Sequence, residues 1–140
     1  MLKPLKTLIK ITKYSLDEKR KILNALLESK EQMIKKIKQL EDEINEEQKK
    51  NEIMPLDLRM IFPYFVIMMR NRQQVILSEI EKLNPQIQKA TDELYEVFTE
   101  NKKYEVLRDR KIEEFNYEFN KKQQLELDEI AIAKFARQEQ

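Results

Sequence analysis

Apolar side chains recur along the first third of the chain in a single heptad pattern. With Leu2 as an a position, the a and d positions are Leu2, Leu5, Ile9, Thr12, Leu16, Lys19, Leu23, Leu26, Lys30, Met33, Ile37, Leu40 and Ile44. A seven-residue repeat sustained over this length predicts a coiled-coil helix. The two lysines fit such a seam because their aliphatic stems can pack while their ammonium groups reach water. We predict that helix one covers about residues 5–52.

A second periodic segment begins after a break in the pattern. Residues 53–63 are mostly apolar and contain Pro55 and Pro63, which disfavour helix at the preceding residue. We predict a chain reversal here, with room for one short helical turn, and a second helix over about 64–137. The seam of helix two is Ile76, Ile80, Leu83, Ile87, Ala90, Leu94, Val97, Asn101 and Tyr104. Because the seam keeps its phase across Pro85, we expect a kink there rather than a helix end.

Two helices joined by a short reversal are expected to fold back on each other. Pairing centred near residue 58 would place Ile37 opposite Ile80 and Leu16 opposite Asn101. The sequence therefore predicts an all-α, single-domain fold over residues 1–140, a long two-helix antiparallel coiled-coil hairpin. Helix two is the longer, so the chain beyond about residue 112 would form a C-terminal overhang without a partner helix.

The predicted C-terminal overhang is not polar on all sides. It carries the bulky apolar residues Phe115, Tyr117, Phe119, Leu125, Leu127, Ile130, Ile132 and Phe135. A lone helix gains little stability in water, and exposed apolar rows of this size usually mark a binding surface. We infer that the overhang binds another protein or a second copy of this chain.

Composition removes several classes of function. The 140 residues include no Gly, His, Cys or Trp, and the formal net charge is +1. Glycine-rich phosphate-binding loops, thiol or imidazole chemistry and ordinary zinc sites are therefore excluded. We predict no enzymatic activity, no cofactor, no small-molecule substrate and no nucleic-acid partner, because dedicated nucleic-acid binders are usually clearly basic.

Membrane and export signals are weak in the sequence. The longest apolar run, residues 60–69, is about half the length that a membrane span needs and contains Pro63. The first residues lack the apolar core of a signal peptide. We therefore expect a cytoplasmic protein.

Two charge patterns have both a simple and a functional interpretation. Acidic clusters such as residues 41–43 and 113–114 are interpreted as solvated helix faces, since a two-helix hairpin has no sheltered pocket. Lys3, Lys6, Lys10 and Lys13 precede any acidic residue. This basic start fits anionic lipid, nucleic acid or an acidic partner, or else the solvated end of a coiled coil.

Methionine and aromatic residues concentrate at the predicted reversal. The group is Met54, Met60, Phe62, Tyr64, Phe65, Ile67, Met68 and Met69. Methionine-rich surfaces suit adaptable partner binding. The same residues could instead close the end of the hairpin, and the sequence leaves both interpretations open.

The chain resembles the FliJ family, small coiled-coil proteins of the bacterial flagellar type III export apparatus. Three parts of the sequence are similar to the family: its opening, the entry to its second helix, and its C-terminal part. The matching segments are residues 5–10 and 16–20, residues 64–65, 73–74 and 80–83, and residues 104–110 and 124–130. The order and spacing of these segments support the resemblance more than any one of them does.

The resemblance implies a two-helix coiled coil similar to the rotor stalk of F- and V-type ATPases. It implies three partners: the hexameric export ATPase, whose ring the end bearing both termini enters, the export gate membrane protein, and export chaperones that have released cargo. It places the protein in the cytoplasm, at the cytoplasmic face of the inner membrane when assembled. By matching position, Phe65 and Met69 fall where family members contact the gate.

From the resemblance and the overhang together, we predict two contact surfaces. Contacts with the ATPase ring would come from Arg108, Arg110, Phe115, Phe119, Lys121, Lys122, Leu125, Leu127, Ile130 and Phe135. Contacts with the export gate or a chaperone would come from Phe62, Tyr64, Phe65, Met68 and Met69. We expect a monomer in isolation. The alternatives are the corresponding stalk of a virulence injectisome and a self-associating coiled-coil scaffold unrelated to secretion.

Overall fold

A computed structural model describes residues 2–138, and the regular secondary structure within this range is entirely helical. The helices are α1 (Leu2–Glu52), α2 (Leu56–Arg59) and α3 (Phe62–Gln138). Both long helices start slightly earlier than the pattern predicts. Pro4 and Pro63 cause no break because each lies in the first turn of its helix, where a backbone N–H has no intrahelical partner. The predicted all-α hairpin is confirmed.

Helix α3 contains Pro85 in its interior. The helix continues through this residue, although proline lacks one backbone hydrogen bond. Apolar residues at the same seam on both sides, Leu83 and Ile87, are each half-buried. Their packing offsets the local cost of the proline, and the predicted kink stays a prediction.

The chain reverses through residues 53–61 without glycine. None of the residues 2–138 has a positive φ, so the turn uses only conformations open to every L-residue. Arg59 holds the segment together, because its guanidinium donates to the carbonyl of Met54 at 2.9 Å and to that of Glu52 at 2.6 Å. A charged side chain thus satisfies the carbonyl of Glu52, the last residue of α1, and one carbonyl of the reversal.

Packing groups the chain into two compact units, and the single domain over residues 1–140 stays a prediction. The unit formed by residues 16–96 has its core at Leu40, Ile44 and Met69, with Phe62, Phe65, Val66 and Ile76 packed around it. The two long helices run antiparallel in this unit, as two ion pairs between them show. Lys19 Nζ lies 3.0 Å from Glu93 Oε2, and Arg70 pairs with Glu41.

The other unit combines residues 2–15 with residues 97–138. Leu5 and Ile9 of α1 are buried there at 8% and 5% exposure. Thr12 of α1 and Asn101 of α3 are buried with them and share a hydrogen bond of 2.7 Å. The a and d positions predicted for the start of α1 therefore face α3.

The register differs from the predicted one by roughly a helical turn. The sequence places Leu16 opposite Asn101, but Asn101 donates hydrogen bonds to Ile9 and Thr12. The prediction assumed that the reversal is centred at residue 58. The pairings Lys19–Glu93 and Glu41–Arg70 place the centre near residue 56, because α3 already begins at Phe62.

Candidate functional site

The candidate site consists of exposed surfaces of the helices. Among residues 2–138, no group of three or more acidic side chains is placed to hold a metal ion. Neither long helix combines the length and the apolar character needed to cross a membrane, over the same residues. The features that remain are exposed apolar and charged surfaces of the helices.

The C-terminal overhang is fully exposed. Every residue from 109 to 138 is exposed, whereas Arg108, one position earlier, is still partly covered. The overhang therefore comprises residues 109–138 and begins three residues before the predicted point. Its aromatic side chains stay in solvent: Phe115 is 66% exposed, Phe119 50% and Phe135 63%.

Apolar groups along the overhang lie in rows on the helix surface. Phe115 and Phe119 are one turn apart, and their rings stack with centroids 6.3 Å apart and planes at 12°. The predicted contact residues Leu125, Leu127 and Ile130 are also more than half exposed. Side chains of this size on an unaccompanied helix form a continuous surface that a protein partner can cover.

The basic residues predicted for the same surface are accessible in differing degrees. Arg110, Lys121 and Lys122 are exposed. Arg108 is partly covered, and its Nε donates to Asp109 Oδ1 at 3.2 Å. The structure brings the predicted ring-contact residues onto one helix, but they do not converge on a pocket.

A second apolar surface lies at the connection between α1 and α3. Here Ile53 is 87% exposed, Leu56 78% and Met60 75%. Beside them is an open cleft of about 250 Å³. Its lining is mainly apolar and consists of Met54, Leu58, Ile61, Phe62 and Phe65, with Glu47, Lys50 and Asn51 at its edge.

The predicted gate or chaperone contacts divide between this surface and the core. Tyr64 and Met68 are exposed, and Phe62 and Phe65 are half-buried with their rings stacked at 6.3 Å. Met69 is only 1% exposed and packs against Leu40 and Ile44. Met69 therefore completes the hairpin core in this structure, and its predicted contact with the gate or a chaperone stays a prediction.

A polar network joins the two helices close to this core. Arg70 donates to both carboxylate oxygens of Glu41, and Gln73 Nε2 donates to the carbonyl of Ile37 and to Glu41 Oε2, each at 3.1 Å. The hydrogen bonds from Arg70 and then Gln73 lower the pKa of Glu41, and the bond to Glu41 raises the pKa of Arg70. Glu41 is thereby kept ionised and tied to α3.

Sequence analysis missed the role of Gln73. A signal for it was available, because steps of four and three residues lead back from Ile76 to Gln73 and Met69, which continues the α3 seam. Both residues are buried, as a seam position requires. Because Gln73 is polar, the apolar pattern alone begins the α3 seam only at Ile76.

The basic start of α1 remains in solvent. Lys3, Lys6, Lys10 and Lys13 are all exposed, while Leu5 and Ile9 between them are buried against α3. The coiled-coil seam therefore accounts for Leu5 and Ile9, whereas Leu8 and Ile11 are exposed beside the lysines. The lysines form a separate row on the same helix, at steps of three and four residues.

Comparison with known proteins identifies the family of this chain. No curated protein and no solved structure was found to match it. The family model described as "Flagellar FliJ protein" matches residues 1–140, the whole length of the sequence. The antiparallel helical hairpin agrees with the fold that the resemblance implies. The chain therefore belongs to the FliJ family of flagellar proteins.

Proposed function

We propose that this protein is a non-enzymatic stalk of flagellar type III protein export. Its C-terminal overhang would enter the ring of the hexameric export ATPase, and the rest of the hairpin would connect that ring to the export gate and to export chaperones. Membership of the FliJ family gives the broader part of this function, a role in the flagellar export apparatus. The specific contacts are our proposal.

The observation that carries the proposal is the exposure of residues 109–138. A lone helix gains little stability in water, because helical stability in proteins comes mostly from packing of an apolar face. Here Phe115, Phe119 and Phe135 stay at least half exposed, and the aromatic partner of Phe115 is Phe119 of the same helix. A surrounding protein ring would cover apolar rows on several sides of the helix, which a flat partner surface would not.

The mechanism would rest on unequal contacts. A single helix inside a ring of six subunits meets each subunit through a different side, so it can favour different states of different subunits. Such differential contact is what coupling between sites requires. The stalk could in this way coordinate the nucleotide cycles of the ring without doing chemistry itself.

The connecting segment, residues 53–61, together with the first turns of α3, would serve as the second contact surface. Tyr64 and Met68, with the exposed Ile53 and Leu56, are accessible for the export gate or a chaperone. Met-rich apolar surfaces adapt to more than one partner. On this proposal the protein acts in the cytoplasm, at the cytoplasmic face of the inner membrane when the apparatus is assembled.

The decisive experiment is deletion of residues 112–140. We expect the shortened protein to lose binding to the purified export ATPase while its remaining hairpin stays helical by circular dichroism. A matched full-length variant, Phe115→Ser with Phe119→Ser, should weaken binding, and Ile53→Ser with Leu56→Ser at the connecting segment should not. Binding of the deletion variant at wild-type strength would contradict the proposal.

A self-associating scaffold is the second candidate, favoured by the same uncovered apolar rows. Two copies could cover each other's overhangs, in which case the mass measured by light scattering would rise with concentration. The stalk proposal expects a monomer at all concentrations tested. The related injectisome stalk would be distinguished by the secretion genes that neighbour this one.

A further inference from the structure

Positive charge is concentrated in one section of the protein, although the whole chain is nearly neutral. Residues 2–15 carry four lysines and no acidic residue, and residues 97–111 carry five basic and three acidic residues. These two stretches lie in the same compact unit. Together, as the basic section, they have a net charge of +6, against +1 for the full sequence.

The four lysines of α1 are an unpaired part of the basic section. Lys3, Lys6, Lys10 and Lys13 are exposed, and none has an ion-pair partner among residues 2–138. In the α3 stretch, Lys102 pairs with Glu105 at 3.7 Å. At steps of three, four and three residues, the lysines follow one side of the helix over about 15 Å.

We propose that the basic section binds an acidic protein surface, and that this surface belongs to the ring partner that receives the overhang. The inference rests on the proposed function and adds the chemistry of the contact. The apolar overhang would supply the affinity through buried area, and the lysine row would steer the encounter. Charges at the edge of an interface act mainly on the association rate and its salt dependence.

The charge of the chain next to the basic section favours an acidic protein over a nucleic acid or an anionic membrane as the partner. Residues 112–138, the part of the overhang that follows the basic section, carry six acidic and four basic residues, a net charge of −2. A nucleic acid or an anionic membrane has the same charge along its whole length and would be repelled there. A protein surface can be acidic opposite the lysines and apolar opposite Phe115 and Phe119.

The test compares two full-length variants with the same change in net charge. The first replaces Lys3, Lys6, Lys10 and Lys13 with glutamine. The control replaces Lys36, Lys38, Lys49 and Lys82, which are exposed lysines of the unit formed by residues 16–96. Association with the purified export ATPase of the same organism is measured by stopped flow between about 0.1 M and 1 M salt, where the Debye length falls from about 10 to 3 Å.

We expect the first variant to associate about tenfold more slowly than wild type at low salt, with the difference disappearing at high salt. The control should stay within about twofold of wild type, since its lysines belong to the other compact unit and not to the basic section. Equal effects of the two variants, or no salt dependence, would overturn the inference and leave the stalk proposal standing. Failure of the wild-type protein to bind the ATPase at any salt concentration would overturn both.

Two further probes test a nucleic acid and an anionic membrane as alternative partners. Wild-type protein is mixed with a random-sequence DNA duplex and with vesicles of phosphatidylglycerol and phosphatidylcholine. We expect neither to bind in a way that depends on the four lysines at salt concentrations where the ATPase binds. Lysine-dependent binding to either probe, tighter than to the ATPase, would overturn the assignment to an acidic protein.

Discussion

Asn101 of α3 donates a hydrogen bond to the hydroxyl of Thr12 in α1, with 2.7 Å between Nδ2 and Oγ1. Both residues are about 95% buried in the seam. The Thr12 hydroxyl in turn contacts the carbonyls of Leu8 and Ile9, at 2.9 and 3.0 Å. A buried amide can be satisfied at only one position along the facing helix, so this pair selects the register of the coiled coil.

The first prediction concerns this pair. Thr12→Val removes the acceptor of a buried amide and leaves Asn101 only its longer bond of 3.3 Å to Ile9. We expect the free energy of unfolding to fall by about 1–3 kcal/mol, the usual cost of an unsatisfied buried donor. Urea unfolding followed by circular dichroism measures it. The matched control Thr91→Val, at an exposed position, should change stability by less than about 0.5 kcal/mol.

The second prediction is that Asn101→Leu behaves differently from Thr12→Val. Leucine removes the buried amide, and the Thr12 hydroxyl keeps its backbone acceptors. We expect little loss, or a gain, in unfolding free energy, together with a less specific helix register, because a polar seam residue gives up stability for specificity. Spin labels on α1 and α3 would report the register. If the variant lost much stability but kept a single register, the amide would stabilise the fold and would not select the register.

The third prediction separates two adjacent methionines. Met69 is 1% exposed in the core, and Met68 is 44% exposed beside it. Met69→Ala should lower the free energy of unfolding by about 2–4 kcal/mol, since it opens a cavity beside Leu40 and Ile44. Met68→Ala should have little effect on urea unfolding. If both substitutions lowered the free energy of unfolding equally, Met69 would not be a core residue.

The fourth prediction follows from the lowered pKa of Glu41. Hydrogen bonds from Arg70 and Gln73 hold this pKa below its ordinary value, and the bond from Lys19 does the same for Glu93. A carboxylate whose pKa is lower in the folded state adds stability above its unfolded pKa of about 4.3. That stability is lost as the pH falls through the folded value. We therefore expect stability to decline in acid.

Unfolding in urea across the acid range would measure this decline. Glu41→Gln should make the decline shallower, because one of the groups that bind a proton on unfolding is gone. Glu31→Gln is the matched control, since Glu31 forms an exposed pair with Lys35 within α1 and does not join the helices. If both variants gave the wild-type pH profile, the network around Glu41 would not contribute to stability.

The sequence predicts the long-range pattern of this fold better than its details. Heptad positions such as Leu40 and Ile80 are buried as predicted, because one side of each helix must leave water. The register was off by roughly a turn, since every apolar pair in a repeating seam is nearly equivalent. Polar pairs such as Thr12 with Asn101 break this equivalence, and their partners cannot be read from periodicity.

The candidate surfaces were predictable to different degrees. The overhang follows from the unequal lengths of the two periodic segments, so its exposure agrees with the sequence. At the start of α3, composition alone could not tell which of Met68 and Met69 is buried, because this depends on how α3 is rotated against Leu40 and Ile44. The lysine row of α1 and its pairing with α3 could both be predicted, whereas the separate compact unit that they form could not.

The last prediction concerns the stability of the overhang in the isolated protein. Without packing, its backbone hydrogen bonds open through local unfolding that costs little free energy. In amide hydrogen exchange, residues 109–138 should therefore exchange much faster than the stretches around Leu40 and Met69. The rates should not depend on protein concentration if the protein is monomeric. If exchange were slow and became slower at higher protein concentration, a second copy would be covering Phe115 and Phe119. That result would favour the scaffold over the stalk.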